Sequence, residues 1–87
     1  MTNTIYKLEM SELKGKKTNV IYETYGVSPK ALLKVVNKDK FFYPEYREYF
    51  IEAIERTMKI NHSYDRFEDG DRKIIIRVET CPLILED

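Results

Sequence analysis

Eighty-seven residues with 43% hydrophobic and 34% charged side chains make one globular domain and exclude a disordered chain. A formal net charge of zero and a pI near 6.6 argue against a strongly basic nucleic-acid groove. A single cysteine, Cys81, excludes an internal disulfide, and the apolar runs, such as Ile74-Ile75-Ile76, are far too short to cross a bilayer.

Residues 4–10 alternate, with Tyr6, Leu8 and Met10 opposite Lys7 and Glu9, which predicts a half-buried strand. Gly15 lies in the basic turn Lys14-Gly15-Lys16-Lys17. Residues 19–26 are rich in β-branched and aromatic residues and read as a second strand, hairpin-paired with the first. Ser28 as N-cap and Pro29 at the first helical position predict a short amphipathic helix over 29–38. Lys30, Lys34 and Lys38 mark its polar face, with Ala31, Leu32, Val35 and Val36 mostly opposite. The rival is a hairpin of Ala31–Val36 with Lys40–Tyr43 across Lys38-Asp39; the helix is preferred.

Residues 44–60 carry the clearest pattern. Pro44 opens a helix, and Tyr46, Tyr49, Phe50, Ala53, Ile54, Thr57 and Ile60 form its apolar face. Glu45, Glu48, Glu52, Glu55 and Lys59 take the other face. Glu52–Arg56 and Glu55–Lys59 are spaced as i,i+4 ion pairs, and Asn61 is the expected end. Glu68-Asp69-Gly70-Asp71 is a turn with Gly at positive φ. Residues 72–80 alternate as a strand, Pro82 is expected to end regular pairing, and Leu83-Ile84-Leu85 to add a short edge strand. The fold class expected is α+β: a single compact domain, 1–87, with an antiparallel sheet of three to five strands, the long 44–60 helix on one face, and a short helix at 29–38.

Catalytic and cofactor motifs are missing from this pattern. No clustered glycines form a phosphate cradle, and one Cys and one His cannot build a zinc site. A calcium loop over Asp65, Asp69, Gly70 and Asp71 fails because Phe67 and Ile76 stand where oxygen ligands belong. His62 stands alone as a general base and is read as a helix-end residue. The expectation is a non-enzyme with no cofactor and no metal.

Charge is unevenly spread. Residues 1–40 carry eight Lys against four carboxylates, net +4; residues 41–87 carry seven basic against eleven acidic side chains, net −4. Two binding surfaces follow. The acidic one comprises Glu45, Glu48, Glu52 and Glu55, whose mean axial spacing of about 5 Å is near that of nucleic-acid phosphates, extended by Glu68, Asp69 and Asp71. The basic one comprises Lys14, Lys16, Lys17, Lys30, Lys34 and Lys38, with Lys40 nearby and Tyr6, Tyr22 and Tyr25 interleaved for base stacking.

The leading functional expectation is a small protein-binding regulator or inhibitor that acts on a host macromolecule through the acidic surface. The alternative is an RNA or single-stranded DNA binder using the basic N-terminal half. A third reading is a homodimer paired through an edge strand. Ten Lys against five Arg, nine Ile, seven Tyr and no Trp follow AT-rich codons, which suits a low-GC bacterium or its phage. The opening MTNTIYKLEM lacks a basic segment followed by an apolar run. The expected location is therefore the cytoplasm, the host's if the protein is phage-encoded, with no membrane partner.

Overall fold

The structure, a computed structural model, describes the backbone of residues 2–84 and the side chains of residues 4–81. It is an α+β domain: a four-stranded antiparallel sheet with two helices on one face. The strands are β1 (Thr2–Lys14), β2 (Lys17–Gly26), β3 (Ser63–Asp69) and β4 (Arg72–Ile84). Their spatial order is β2-β1-β4-β3, so the first and last strands lie side by side in the centre. No helix among the described residues is long and apolar enough to cross a membrane.

Both hairpins close through two-residue loops, Gly15-Lys16 and Gly70-Asp71. Each loop begins with a glycine at φ 62°, the geometry whose twist matches that of the flanking strands and that only glycine adopts without strain. The two loops therefore sit at the same end of the sheet. Between β1 and β2 one extra residue, Ile21, interrupts the register between Met10/Tyr22 and Ser11/Val20. Tyr43 Oη donates to the Ile21 carbonyl oxygen at 3.3 Å.

The 29–38 segment is the helix α1 (Pro29–Val36), not the hairpin. Ser28 Oγ accepts from the Ala31 N–H at 3.2 Å, Pro29 occupies the first turn, and Leu32 and Val36 are buried one turn apart. Its C-terminal carbonyls are met from outside: Arg47 donates to Val36 O and Lys38 O, each at 3.0 Å. The long helix is present over the expected range, but its first turn, Pro44–Tyr46, is 3₁₀ and the α-helix proper, α2, runs Arg47–Ile60. Asn61 at φ 65° ends it in the left-handed conformation.

The strands need three corrections. Residues 63–67, to which the sequence pattern assigns no element, form β3 together with Glu68 and Asp69, which were expected in the turn, so the turn narrows to Gly70-Asp71. β1 and β2 begin or end beyond the alternating segments, reaching Thr2, Lys14 and Lys17. Pro82 does not end pairing: it stands opposite Thr4, and β4 continues to Ile84. A proline is tolerated there because β3 reaches only Val78, so β4 has one neighbour at that point. Leu85 lies outside the described residues.

One face of the sheet carries Leu8, Met10, Ile74, Ile76 and Val78, all fully buried beneath Leu32, Val36, Phe50, Ala53 and Ile54 of the helices. Phe50 meets Phe41 and Tyr22 edge-to-face at 5.2 and 6.0 Å. α1 packs on β2 and β1, whereas α2 packs on β3 and β4. The basic and acidic halves of the sequence thus supply opposite flanks of the domain.

Candidate functional site

Seven carboxylates belong to the acidic surface, and all seven, Glu45, Glu48, Glu52, Glu55, Glu68, Asp69 and Asp71, are exposed. The fold brings together two parts of the set that are distant in sequence. Because β3 runs beneath α2, Glu45 in the first helical turn comes alongside Glu68 and Asp69. They rim a groove of about 250 Å³ whose other walls are Tyr46, Tyr49 and Phe67. Tyr49 stacks flat on Phe67, with ring centroids 3.9 Å apart and planes 3° from parallel, and Tyr46 meets Phe67 at 5.3 Å. Glu52 and Glu55 lie further along α2, and Asp71 stands in the β3–β4 loop, none of them lining the groove.

The groove's rim is tied to the central sheet. Tyr46 Oη donates to Asp69 Oδ2 at 2.6 Å, and Arg72 reaches both Tyr46 Oη, at 3.5 Å, and Glu12 Oε2, at 2.6 Å. The hydrogen bond to Asp69 raises the Tyr46 phenol above its ordinary range, because ionising it would break that bond and set two anions together. Arg72 likewise holds Glu12 below the usual carboxylate range.

Among the described residues the ion pairs join Lys7 to Glu9 and Glu23, Lys14 and Arg72 to Glu12, and Arg56 to Asp65. None uses any of the seven surface carboxylates. The i,i+4 pairs expected on α2 do not form. Arg56 turns across to β3, donating to Asp65 Oδ1 at 2.6 Å and Ser63 Oγ at 3.4 Å, and Glu55 and Lys59 are not within ion-pair distance. Asp65 on β3 gives Arg56 an acceptor that helical periodicity alone does not reveal.

The basic surface is divided. Lys14, Lys16 and Lys17 occupy the β1–β2 hairpin tip, while Lys30, Lys34, Lys38 and Lys40 lie on and after α1. Tyr22 is partly buried and packs against the core beside Phe41, Tyr43 and Phe50. Tyr25 lies on the opposite, helix-free face, half exposed, with its hydroxyl donating to Glu23 Oε1 at 2.5 Å. Tyr6, on the helix side of β1, is also partly buried. The three tyrosines do not form one stacking platform.

The helix-free face bears alternating charges: Lys7, Glu9 and Glu23 in one patch, with Arg77 over the Tyr64 ring at 5.7 Å. His62 is exposed at the exit of α2. No three His, Cys, Asp or Glu converge as metal ligands among the described residues. Sequence reasoning missed Tyr46, Tyr49 and Phe67 as site residues. The signal that could have found Phe67 was the two-residue Gly70-Asp71 loop, which implies a strand before it as well as after it. Comparison of the chain with protein-family models, with curated proteins and with solved structures gave no match.

Proposed function

We propose that this protein is a non-catalytic regulator or inhibitor that docks onto a partner macromolecule, a protein with a basic surface, through the acidic flank formed by α2 and β3. The observation that carries the reading is the convergence of Glu45, Glu68 and Asp69 around the aromatic walls of one groove. Arginine and lysine side chains suit such a groove, because carboxylates pair with the charge and the aromatic faces pack the stem. Support also comes from the surface carboxylates themselves, which are exposed and have no ion-pair partner among the described residues. An anionic flank on a neutral domain steers a cationic partner in and fixes its orientation.

The test is affinity purification from the native host, with mass spectrometry and nucleic-acid detection on the same eluate. The expected result is one dominant protein whose association slows as salt rises from about 0.05 to 0.5 M. Glu45→Lys with Glu68→Lys should weaken that complex by at least about tenfold, equivalent to ~1.4 kcal/mol. Recovery of nucleic acid alone, lost on Lys16→Glu with Lys17→Glu, would overturn the reading in favour of the single-strand binder.

A further inference from the structure

The sheet is longer than its outer strands. β1 and β4 pair from Leu13 with Lys73 as far as Thr2 with Ile84. β2 stops at Gly26, opposite Tyr6, and β3 begins at Ser63, opposite Val78. Among the described residues, Thr2–Ile5 and Cys81–Ile84 therefore form a two-stranded arm with an open edge on each side. At about 3.4 Å per residue, its four rungs extend ~14 Å. A ribbon of two strands is marginal by itself in water and gains stability from a third strand or a packed face. The helices stop at this level too: α1 begins three residues after Gly26, and α2 ends three residues before Ser63.

Residue choice separates this arm from the other edges. The outer strands carry Lys17 and Glu23 on β2, and Asp65, Arg66, Glu68 and Asp69 on β3, the usual protection against edge-to-edge pairing. Thr2–Ile5 and Cys81–Ile84 contain none of the chain's fifteen basic and fifteen acidic residues. Exposed apolar side chains also stand near the base of the arm. Val27, which follows the Gly26–Tyr6 pair where the β1 edge opens, is 78% exposed, and Met58 is 46% exposed. Tyr6, Pro29 and Met58 line a depression of about 270 Å³ there, rimmed by Ser28, Lys30, Thr57 and Asn61.

We propose that the open edge of β1 at Thr2–Ile5 pairs antiparallel with the same edge of a second copy, making a two-fold homodimer with Val27 in the seam. An uncharged arm offers no counter-charge to an acidic or basic partner, and the strand that fits it best is another uncharged strand such as itself. A two-fold axis satisfies both β1 edges at once and closes the assembly. Head-to-tail addition of β1 onto the β4 edge of the next copy would instead grow without limit. Pro82, which has no N–H to give, breaks the β4 edge at its middle and disfavours that alternative. With only four residues of each β1 edge paired, the seam lies at the small end of specific interfaces, so the dimer dissociates on dilution. It leaves the α2–β3 groove uncovered and is independent of what that groove binds.

Sedimentation velocity of the full chain between about 5 and 200 µM, which brackets micromolar dissociation constants, tests the proposal. The expected result is a reversible monomer–dimer equilibrium. Val27→Lys and Thr4→Lys should each raise the dissociation constant at least about tenfold, with unchanged far-UV circular dichroism. Phe42→Lys, at a site 80% exposed in the α1–α2 connection, should leave it unchanged. Val27→Lys carries the test should Thr4→Lys disturb the β1–β4 pairing, since a side chain so exposed supports no core. A monomer at every concentration, a dimer that survives Val27→Lys, or a dimer lost through Phe42→Lys would overturn it.

Discussion

Gly26→Ala tests whether α1 is seated on β2 at the observed distance. A Cβ at Gly26 would stand 3.2 Å from Ala31 Cβ, 3.2 Å from Leu32 Cδ2 and 3.3 Å from Leu32 Cγ. The backbone there is not left-handed; among glycines only Gly15 and Gly70 have positive φ. Alanine therefore meets no dihedral penalty, and it stabilises by about 0.4–1 kcal/mol by restricting the unfolded chain. Against this stands overpacking, which costs about 1–3 kcal/mol where neighbours cannot yield. Leu32 is fully buried and Ala31 has no rotamer to change, so the steric effect wins. The expected net loss is about 1 kcal/mol, which at a slope of ~1–1.5 kcal/mol/M lowers the urea midpoint by nearly 1 M. In a Leu32→Ala background part of the clash disappears, and the loss from Gly26→Ala should shrink, a coupling between neighbours. Gly15→Ala, where nothing lies within 4 Å of a Cβ, should cost about the same through backbone strain alone and add independently of Leu32. A Gly26→Ala protein as stable as the wild type, with no coupling to Leu32, would refute the α1–β2 contact.

The remaining predictions concern pH and the aromatic core. At Glu9, burial opposes ionisation, but Lys7 and Ser11 outweigh it, and the pKa falls below the usual carboxylate range; at Glu12 the Arg72 hydrogen bond is the chief cause of the same direction. A folded pKa below the unfolded value of about 4.3 means that their stabilisation is complete above that value and is lost as pH falls through the lower folded pKa. Urea midpoints measured between pH 7 and pH 2.5 should drop below about pH 4.5, and Arg72→Met should make that drop shallower. Phe50→Ala removes a fully buried ring touching Phe41 and Tyr22 and should cost about 3–5 kcal/mol. Thermal melting would then show a loss of at least about 12 °C, at ~4–8 °C per kcal/mol.

Elements coded by short-range chemistry were legible in the sequence. Ser28-Pro29 capped α1 as expected, and Pro44 and Asn61 bounded the long helix. β3 was not legible, because Ser63–Asp69 holds only Tyr64 and Phe67 as strong strand formers among three acidic residues and an arginine. What makes it a strand is the neighbour, Arg72–Val78, whose register it completes. The same nonlocal cause explains Pro82: its effect depends on whether β4 has one neighbour or two, which local sequence does not reveal. The split between Tyr22 and Tyr25 was legible in principle. Three residues apart on a strand, they must point to opposite faces, and treating them as one platform neglected that period.

The acidic site shows why composition located the charges but not the groove. Glu45 and Glu68 are 23 positions apart, and only the antiparallel return of β3 beneath α2 makes them neighbours. The same return gives Arg56 an acceptor in Asp65, leaving Glu52 without the partner that helical spacing had assigned to it. In the central strands, Lys7, Glu9, Glu12 and Arg72 compensate one another across the β2-β1-β4 part of the sheet. Charge balance in the middle of a net-neutral domain leaves the excess at its flanks: lysines on α1 and the β1–β2 tip, carboxylates on α2 and the end of β3. Net neutrality is thus no argument against an electrostatic binding surface, because Glu45, Glu68 and Asp69 gather at one flank without an ion-pair partner, and most of the lysines lie at the other.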